Sequence, residues 1–169
     1  MTSRGKTILV TAVLAVAALG GGLYAGSARQ QAPADVTFIG VKGEKFSMSS
    51  LKGKVVLVNF WATSCTACMH EMPKIVQTHE KYSDRGLETV AVAMSYDPPD
   101  RVFAYAQQAK LPFRVTLDIF GKAMDAFGGI RGTPTTFLVD RRGNIVRRFE
   151  GEPDFGKLGA LIEKELAKG

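Results

Sequence analysis

The only two thiols in the chain are Cys65 and Cys68, set C-x-x-C within "NFWATSCTACMHEMP", Asn59 to Pro73. Four chemistries use such a pair, and the surrounding residues separate them. A tetrahedral zinc site takes four ligands, and no second cysteine pair exists to complete it. Covalent haem attachment needs C-x-x-C-H; here Met69 follows Cys68, and His70 comes one place too late. A structural bridge across two intervening residues removes little freedom from the unfolded chain. Reversible dithiol–disulfide exchange is the chemistry left.

That chemistry needs one sulfur ionised near neutral pH and a second within reach. A helix N-terminus meets the first need, because its unpaired N–H groups and its dipole stabilise an anion. "VVLVNF", Val55 to Phe60, is an unbroken β-branched and apolar run that reads as a buried central strand. Helical spacing follows through Met69, Met72, Val76, His79 and Tyr82 and stops at Gly86. Ser64 is the expected N-cap, with Cys65 the first residue after it. Pro73 lies inside the helix and predicts a kink. Cys65, nearer the surface, is then the low-pKa nucleophile. Cys68, one turn deeper, attacks the mixed disulfide and releases the product.

The remaining elements must hold this pair. "VTFIGVKGEKFSMSSLKGK" alternates short β-like pieces with glycine turns, Gly43 marking a hairpin tip. "ETVAVAM", Glu88 to Met94, is a second buried strand. Asp97 is expected to cap a helix with Pro98 at its first position, running to about Lys110. "FRVTLD" reads as a strand, "FGKAMDAFG" as a short helix, and "TTFLVD" as a strand turning at Arg142-Gly143-Asn144 into "IVRRFE". A last helix carries Phe155, Leu158, Leu161, Ile162 and Leu166 on one face. Strand–helix alternation closed by a hairpin and a helix predicts an α/β fold. The hairpin makes the sheet mixed.

The 169 residues carry a net charge of +6, which raises the question of nucleic acid. Arg4, Lys6 and Arg29 precede the first acidic residue, Asp35; beyond them 19 basic residues face 16 acidic ones. No basic stripe interleaved with aromatics appears, and "RRGNIVRR" fits the solvated ends of a hairpin, so nucleic acid is not expected as a partner. The early charges instead precede an uncharged run of 22 residues, Thr7 to Ala28. About 20 apolar residues span a bilayer as a helix. Positive charge before them favours a cytoplasmic N-terminus. Residues 1–6 are thus expected in the cytoplasm, 7–28 as a transmembrane signal anchor and 29–35 as a linker. The domain of residues 36–169 then lies outside the cytoplasm. "AGSA" keeps a cleaved signal peptide open as the other reading; both readings export the domain.

"VVLVNFWATSCTAC…P" together with "GIRGTPTTFLVDRRGNIV" resembles the thioredoxin superfamily. More narrowly it is similar to the TlpA/ResA/CcmG-like membrane-anchored thiol–disulfide oxidoreductases of bacteria, over about residues 36–168. The resemblance implies a thioredoxin-like fold, a mixed central sheet flanked by helices, with an extra N-terminal β-hairpin and an inserted strand–helix unit. It implies that Cys65 and Cys68 are the redox pair and that Thr133-Pro134 is a cis-proline loop facing them. Such a loop holds an extended substrate segment through the backbone before the proline. Trp61 matches an aromatic beside the active site; plain core packing is the other reading. No cofactor is implied. The implied partners are protein disulfides, with apocytochrome c or copper-site proteins as typical clients, and a membrane thiol donor. The implied setting is the bacterial inner membrane, spanned once, with the domain on the periplasmic side.

The chain also departs from the familiar pattern. Ser64 stands where many relatives have Trp, and Thr66-Ala67 lacks the usual proline between the cysteines. Asn59 replaces the buried acid of thioredoxins. Something else must then take the proton of Cys68. Glu71 lies three residues on, on the same helix face, and the resemblance places an active-site glutamate there. A glutamate merely favoured by the helix N-terminus is the alternative. Met69, His70 and Met72 beside two thiols also raise Cu(I), so a copper chaperone using Cys65, Cys68 and His70 is the competing function.

Overall fold

The computed structural model describes residues 30–168. The predicted cytoplasmic N-terminus, the predicted membrane segment and Arg29, the first residue of the predicted linker, lie outside them. Among the described residues no helix is long and apolar enough to cross a membrane. Seven strands form one sheet: β1 (Thr37–Gly40), β2 (Lys45–Ser47), β3 (Val55–Trp61), β4 (Leu87–Ala93), β5 (Arg114–Leu117), β6 (Thr135–Val139) and β7 (Ile145–Glu150). Their order across the sheet is β2-β1-β5-β4-β3-β6-β7. Strands β3, β4 and β5 run parallel, and every other pairing is antiparallel. The mixed sheet, the N-terminal hairpin tipped by Gly43 at φ 86° and the closing hairpin are as the sequence predicts.

Alternation along β3 splits the core in two. Val55, Leu57 and Trp61 face one layer, built by α1 (Thr66–Tyr82), α2 (Pro99–Gln108) and α4 (Phe155–Leu166) through Met72, Ile75, Val102, Leu158 and Ile162. Val56, Val58 and Phe60 face the other, closed by the N-terminal hairpin region and by α3 (Lys122–Ala126) with Phe127 and Ile130. All seven residues of β3 are buried, so its backbone position is fixed from both sides. Phe60, Phe127 and Phe137 meet edge-on or tilted at centroid distances of 5.0–5.9 Å, a favourable aromatic geometry. The end of β3, from which the cysteine loop departs, therefore starts from a rigid anchor.

Several boundaries differ from expectation. Residues 31–35, predicted as linker, lie against the domain: Gln31 bridges to Asn144, and the Ala32 amide donates to the Gly143 carbonyl at 2.8 Å. Ala32 is buried. α1 ends at Tyr82, short of Gly86, and a 3₁₀ turn carries the chain on to that glycine at φ 102°; Pro73 lies inside the helix, where the sequence puts it. α2 begins at Pro99, not Pro98, and Asp97 does not cap it. That carboxylate is turned inward instead, with consequences for the site.

Candidate active site

β3 delivers the chain to Ala62–Ser64, and α1 starts immediately afterwards. Ser64 is not the cap. Cys65 is itself the N-cap, extended at φ −89° and ψ 104°, and its Sγ accepts the Cys68 amide at 3.1 Å. The sulfur thus takes the place that a serine or aspartate oxygen takes in an ordinary cap. Cys65 and Cys68 are joined as a disulfide with their Cα atoms 5.2 Å apart. Cys65 is half-buried and Cys68 fully buried. The Cys68 amide is directed at the Cys65 sulfur, and no acidic residue lies in the first turn of α1 to weaken the helix's positive end. Both features favour a thiolate at Cys65.

The loop before β6 faces that sulfur. The Thr133–Pro134 bond is cis, and the Thr133 carbonyl oxygen lies 3.4 Å from Cys65 Sγ. Pro134 is buried and Thr133 half-buried. The Thr135 hydroxyl donates to the Gly132 carbonyl at 2.7 Å, and the Tyr96 hydroxyl meets Thr133 Oγ1 at 3.3 Å. The carbonyl beside the disulfide is therefore held by β6 on one side and by the end of β4 on the other.

Glu71 lies one turn beyond Cys68 on the buried face of α1, itself fully buried. Asn59, projecting from β3 into the same layer, donates from Nδ2 to Glu71 Oε1 at 2.7 Å and to Thr136 Oγ1 at 2.9 Å. Asn59 and Thr136 are direct neighbours across β3 and β6, so the sheet register builds this triad. Burial raises the Glu71 carboxyl from 4.5 to about 7; the Asn59 hydrogen bond opposes the rise, the Glu152 charge adds to it and Lys74 opposes it. Glu71 Oε2 and Asn59 Oδ1 are buried without a partner. A carboxyl that exchanges its proton near neutral pH suits a proton acceptor for a neighbouring thiol.

Two residues matter here in ways the sequence did not reveal. Asp97, 4% exposed, accepts the Thr63 amide at 2.6 Å and the Thr63 hydroxyl at 2.5 Å. It ties the cysteine loop to the end of β4. Thr136 looks like an ordinary strand residue in the sequence, although a second polar side chain in an apolar strand is a signal. Trp61 has no exposed surface and packs against Tyr105 at 5.4 Å between centroids. Its burial fits core packing and leaves it no face to offer a substrate. His70 is exposed, with Nδ1 2.9 Å from Glu152, and Lys74 binds the same carboxylate at 2.5 Å. Among the described residues no group of three or more His, Cys, Asp or Glu side chains is placed to hold a metal. A cavity of about 730 Å³ lined by His79, Phe103 and Phe113 lies at the N-terminal ends of β4 and β5, away from the cysteines. Of the two cysteines only Cys65 keeps exposed surface, so it is the one a substrate disulfide can reach.

The Redoxin family model matches residues 27–162. The chain belongs to that family. This redoxin is 33% identical over 125 residues to the thiol-disulfide oxidoreductase ResA of Bacillus thuringiensis subsp. konkukian, covering 73% of the chain and 70% of that protein. It is 37% identical over 118 residues to the thioredoxin-like protein YneN of Bacillus subtilis, covering 69% and 67%. A crystal structure of a thiol:disulfide interchange protein of the thioredoxin family from Chlorobium tepidum superposes with a TM-score of 0.75 at 30% identity, covering 83% of the redoxin and 98% of that chain. The fold is thioredoxin-like, and the redoxin is a thiol–disulfide oxidoreductase whose C-x-x-C pair is Cys65 and Cys68.

Proposed function

We propose that this redoxin reduces protein disulfides outside the cytoplasm, tethered to the bacterial inner membrane through residues 7–28. The Cys65 thiolate attacks one sulfur of a client disulfide. The client S–S bond breaks, its other sulfur leaves as a thiolate, and a mixed disulfide with Cys65 forms. Cys68 gives its proton to Glu71 and attacks Cys65 Sγ. The Cys65–Cys68 bond forms, the second client sulfur leaves, and two electrons have passed from enzyme to client. The two client thiolates take up protons, one of them returned from Glu71. A membrane thiol donor then restores the dithiol. Apocytochrome c and copper-site proteins are the clients proposed. The backbone of Thr133 holds the client segment during exchange.

The observation that carries this reading is the buried Glu71, poised at about 7 one turn from Cys68. Its charge, when present, disfavours further negative charge on the sulfurs, and so favours the disulfide over the dithiol form. A couple that prefers its disulfide is a reductant. The support for direction is thus electrostatic, and a potential measurement decides it. Equilibration of the purified protein with glutathione redox buffers should leave the couple oxidised over most of the range, a strongly negative potential. Insulin reduction should vanish in Cys65→Ser. A potential in the range of strong oxidants, or insulin reduction surviving that substitution, contradicts the proposal.

A further inference from the structure

Among the described residues, the exposed large hydrophobic side chains are Tyr96, Phe103, Ile119 and Phe120. Phe103 lines the cavity away from the cysteines. The other three share one end of the sheet. Trp61 pairs with Ala93, and Ala93 with Leu117, so β3, β4 and β5 end in one row. The Met94 amide donates to the Trp61 carbonyl, and the Asp118 amide to the Ala93 carbonyl, both at 3.0 Å, carrying that row to the strand ends. The three loops leave side by side: the first reaches Cys65, the second Tyr96, the third Ile119 and Phe120.

The third loop is built to present its side chains. The Gly121 amide donates to the Asp118 carbonyl at 2.9 Å, closing a turn with Ile119 and Phe120 at its two corners. Such corners ordinarily carry Gly, Pro, Asn, Asp or Ser. The Asp118 carboxylate is buried beneath and accepts the Ala123 and Met124 amides at 3.0 and 2.8 Å, pinning the turn to α3. Gly121 supplies the φ of 68° that lets the chain enter that helix. A rigid turn carrying Phe120 at 76% exposure holds an apolar face ready before any partner arrives. Asp97 and Asp118, the carboxylates nearest the patch in sequence, are both buried and bonded inward, so neither is displayed on it.

We propose that Tyr96, Ile119 and Phe120 form a second subsite for the client segment that Cys65 attacks. This rests on the disulfide-exchange reading above. Continuity argues for that occupant: Tyr96 touches Thr133, whose carbonyl lies against Cys65 Sγ, and the turn of Ile119 and Phe120 leaves the strand next to the one that leads to Tyr96. The occupant is an extended protein segment with an aromatic or branched aliphatic side chain near its cysteine. Two strand spacings separate β3 from β5, about 10 Å, and an extended chain advances about 3.3 Å per residue. The apolar side chain therefore lies roughly three or four residues from the attacked cysteine.

The test uses short peptides with one cysteine held as a mixed disulfide with thionitrobenzoate. One set carries Phe roughly three or four residues to either side, and the matched set carries Ser there. Free dithiobis(nitrobenzoate) reports the sulfur chemistry alone. In single turnover, the reduced full-length protein should reduce a Phe peptide with a second-order rate constant about tenfold larger than for its Ser partner, about 1.4 kcal/mol. Ile119→Ser/Phe120→Ser should erase that preference and leave the free reagent's rate unchanged; Tyr96→Ser should reduce it in part. Equal rates for the two peptide sets, or a preference surviving in the double variant, overturn the subsite. So does a double variant that keeps the preference but loses adhesion to phosphatidylcholine vesicles, since the patch is then a membrane contact. Failure of the unaltered protein to reduce even the free reagent sinks the exchange reading instead.

Discussion

Asn59 and Glu71 are joined by a 2.7 Å hydrogen bond inside a mainly apolar layer, and the other carboxylate oxygen of Glu71 has no partner. One donor only partly offsets the loss of water, so the carboxyl is neutral below about 7 and charged above it. This half-satisfied acid beneath the reactive pair is the feature from which most of the expected behaviour follows.

Stability should depend on pH through Glu71. Its folded value lies above the unfolded one, so folding favours the protonated form. The contribution is complete below about 4.5, falls as pH rises to about 7, and is flat beyond. Its size is about 3 kcal/mol as an upper estimate. Urea unfolding of the disulfide form, in which the cysteines do not titrate, should show this loss between those pH values. Glu71→Gln should remove most of it; an unchanged profile in that variant contradicts the assignment.

Asn59→Leu removes the donor that holds the Glu71 charge down in pKa. The carboxyl should titrate higher still, and disulfide exchange at pH 7 should slow several-fold while recovering at higher pH. The pH–rate profile of the variant checks this. Thr136→Val, which leaves the Asn59–Glu71 bond in place, should shift the profile less.

Asp97→Ala strips two partners from Thr63, just before Cys65. Both donors are part-buried and can turn to water, so losing the two bonds should destabilise the fold by about 1 kcal/mol. The cysteine loop should also loosen, lowering the alkylation rate of Cys65 in the reduced protein. Asp97→Asn keeps an acceptor for one of the two donors and should restore part of both losses. Full Cys65 reactivity in Asp97→Ala would show that the loop holds itself.

Glu152 bridges His70 and Lys74 on the exposed side of α1 and pushes the Glu71 carboxyl upward by its charge. Glu152→Gln should therefore lower the Glu71 titration, in the opposite direction to Asn59→Leu. Carbon-13 NMR of labelled glutamate side chains reads both shifts. Equal or same-direction shifts would mean that charge and hydrogen bonding are not the controlling causes.

Much of this site was legible in the sequence because it rests on local spacing. C-x-x-C after an apolar strand, Gly43 at a hairpin tip and the face of the last helix all follow from period and turn chemistry. What was hidden depends on contacts between distant residues. Asp97 looks like a helix cap beside two prolines, and only the packing of the β4 loop against Thr63 turns it inward. Ser64 looks like a cap by composition, but Cys65 has the extended backbone and the sulfur in reach of the Cys68 amide. Trp61 sits next to the reactive loop in sequence, yet alternation along β3 sends it into the α1 layer. The exposed Ile119 and Phe120 break the hydrophobic-in rule, and no periodicity distinguishes them from core residues.

Two sulfurs divide the labour: one ionised at the start of α1, one kept protonated beside a buried acid. Alkylation of the reduced protein as a function of pH, resolved for each cysteine by mass spectrometry, tests it most directly. Cys65 should titrate below the ordinary thiol value of about 8.5 and Cys68 above it. Cys68 reacting as the more acidic thiol, or both titrating together at the ordinary value, would contradict the assignment of nucleophile and resolving thiol.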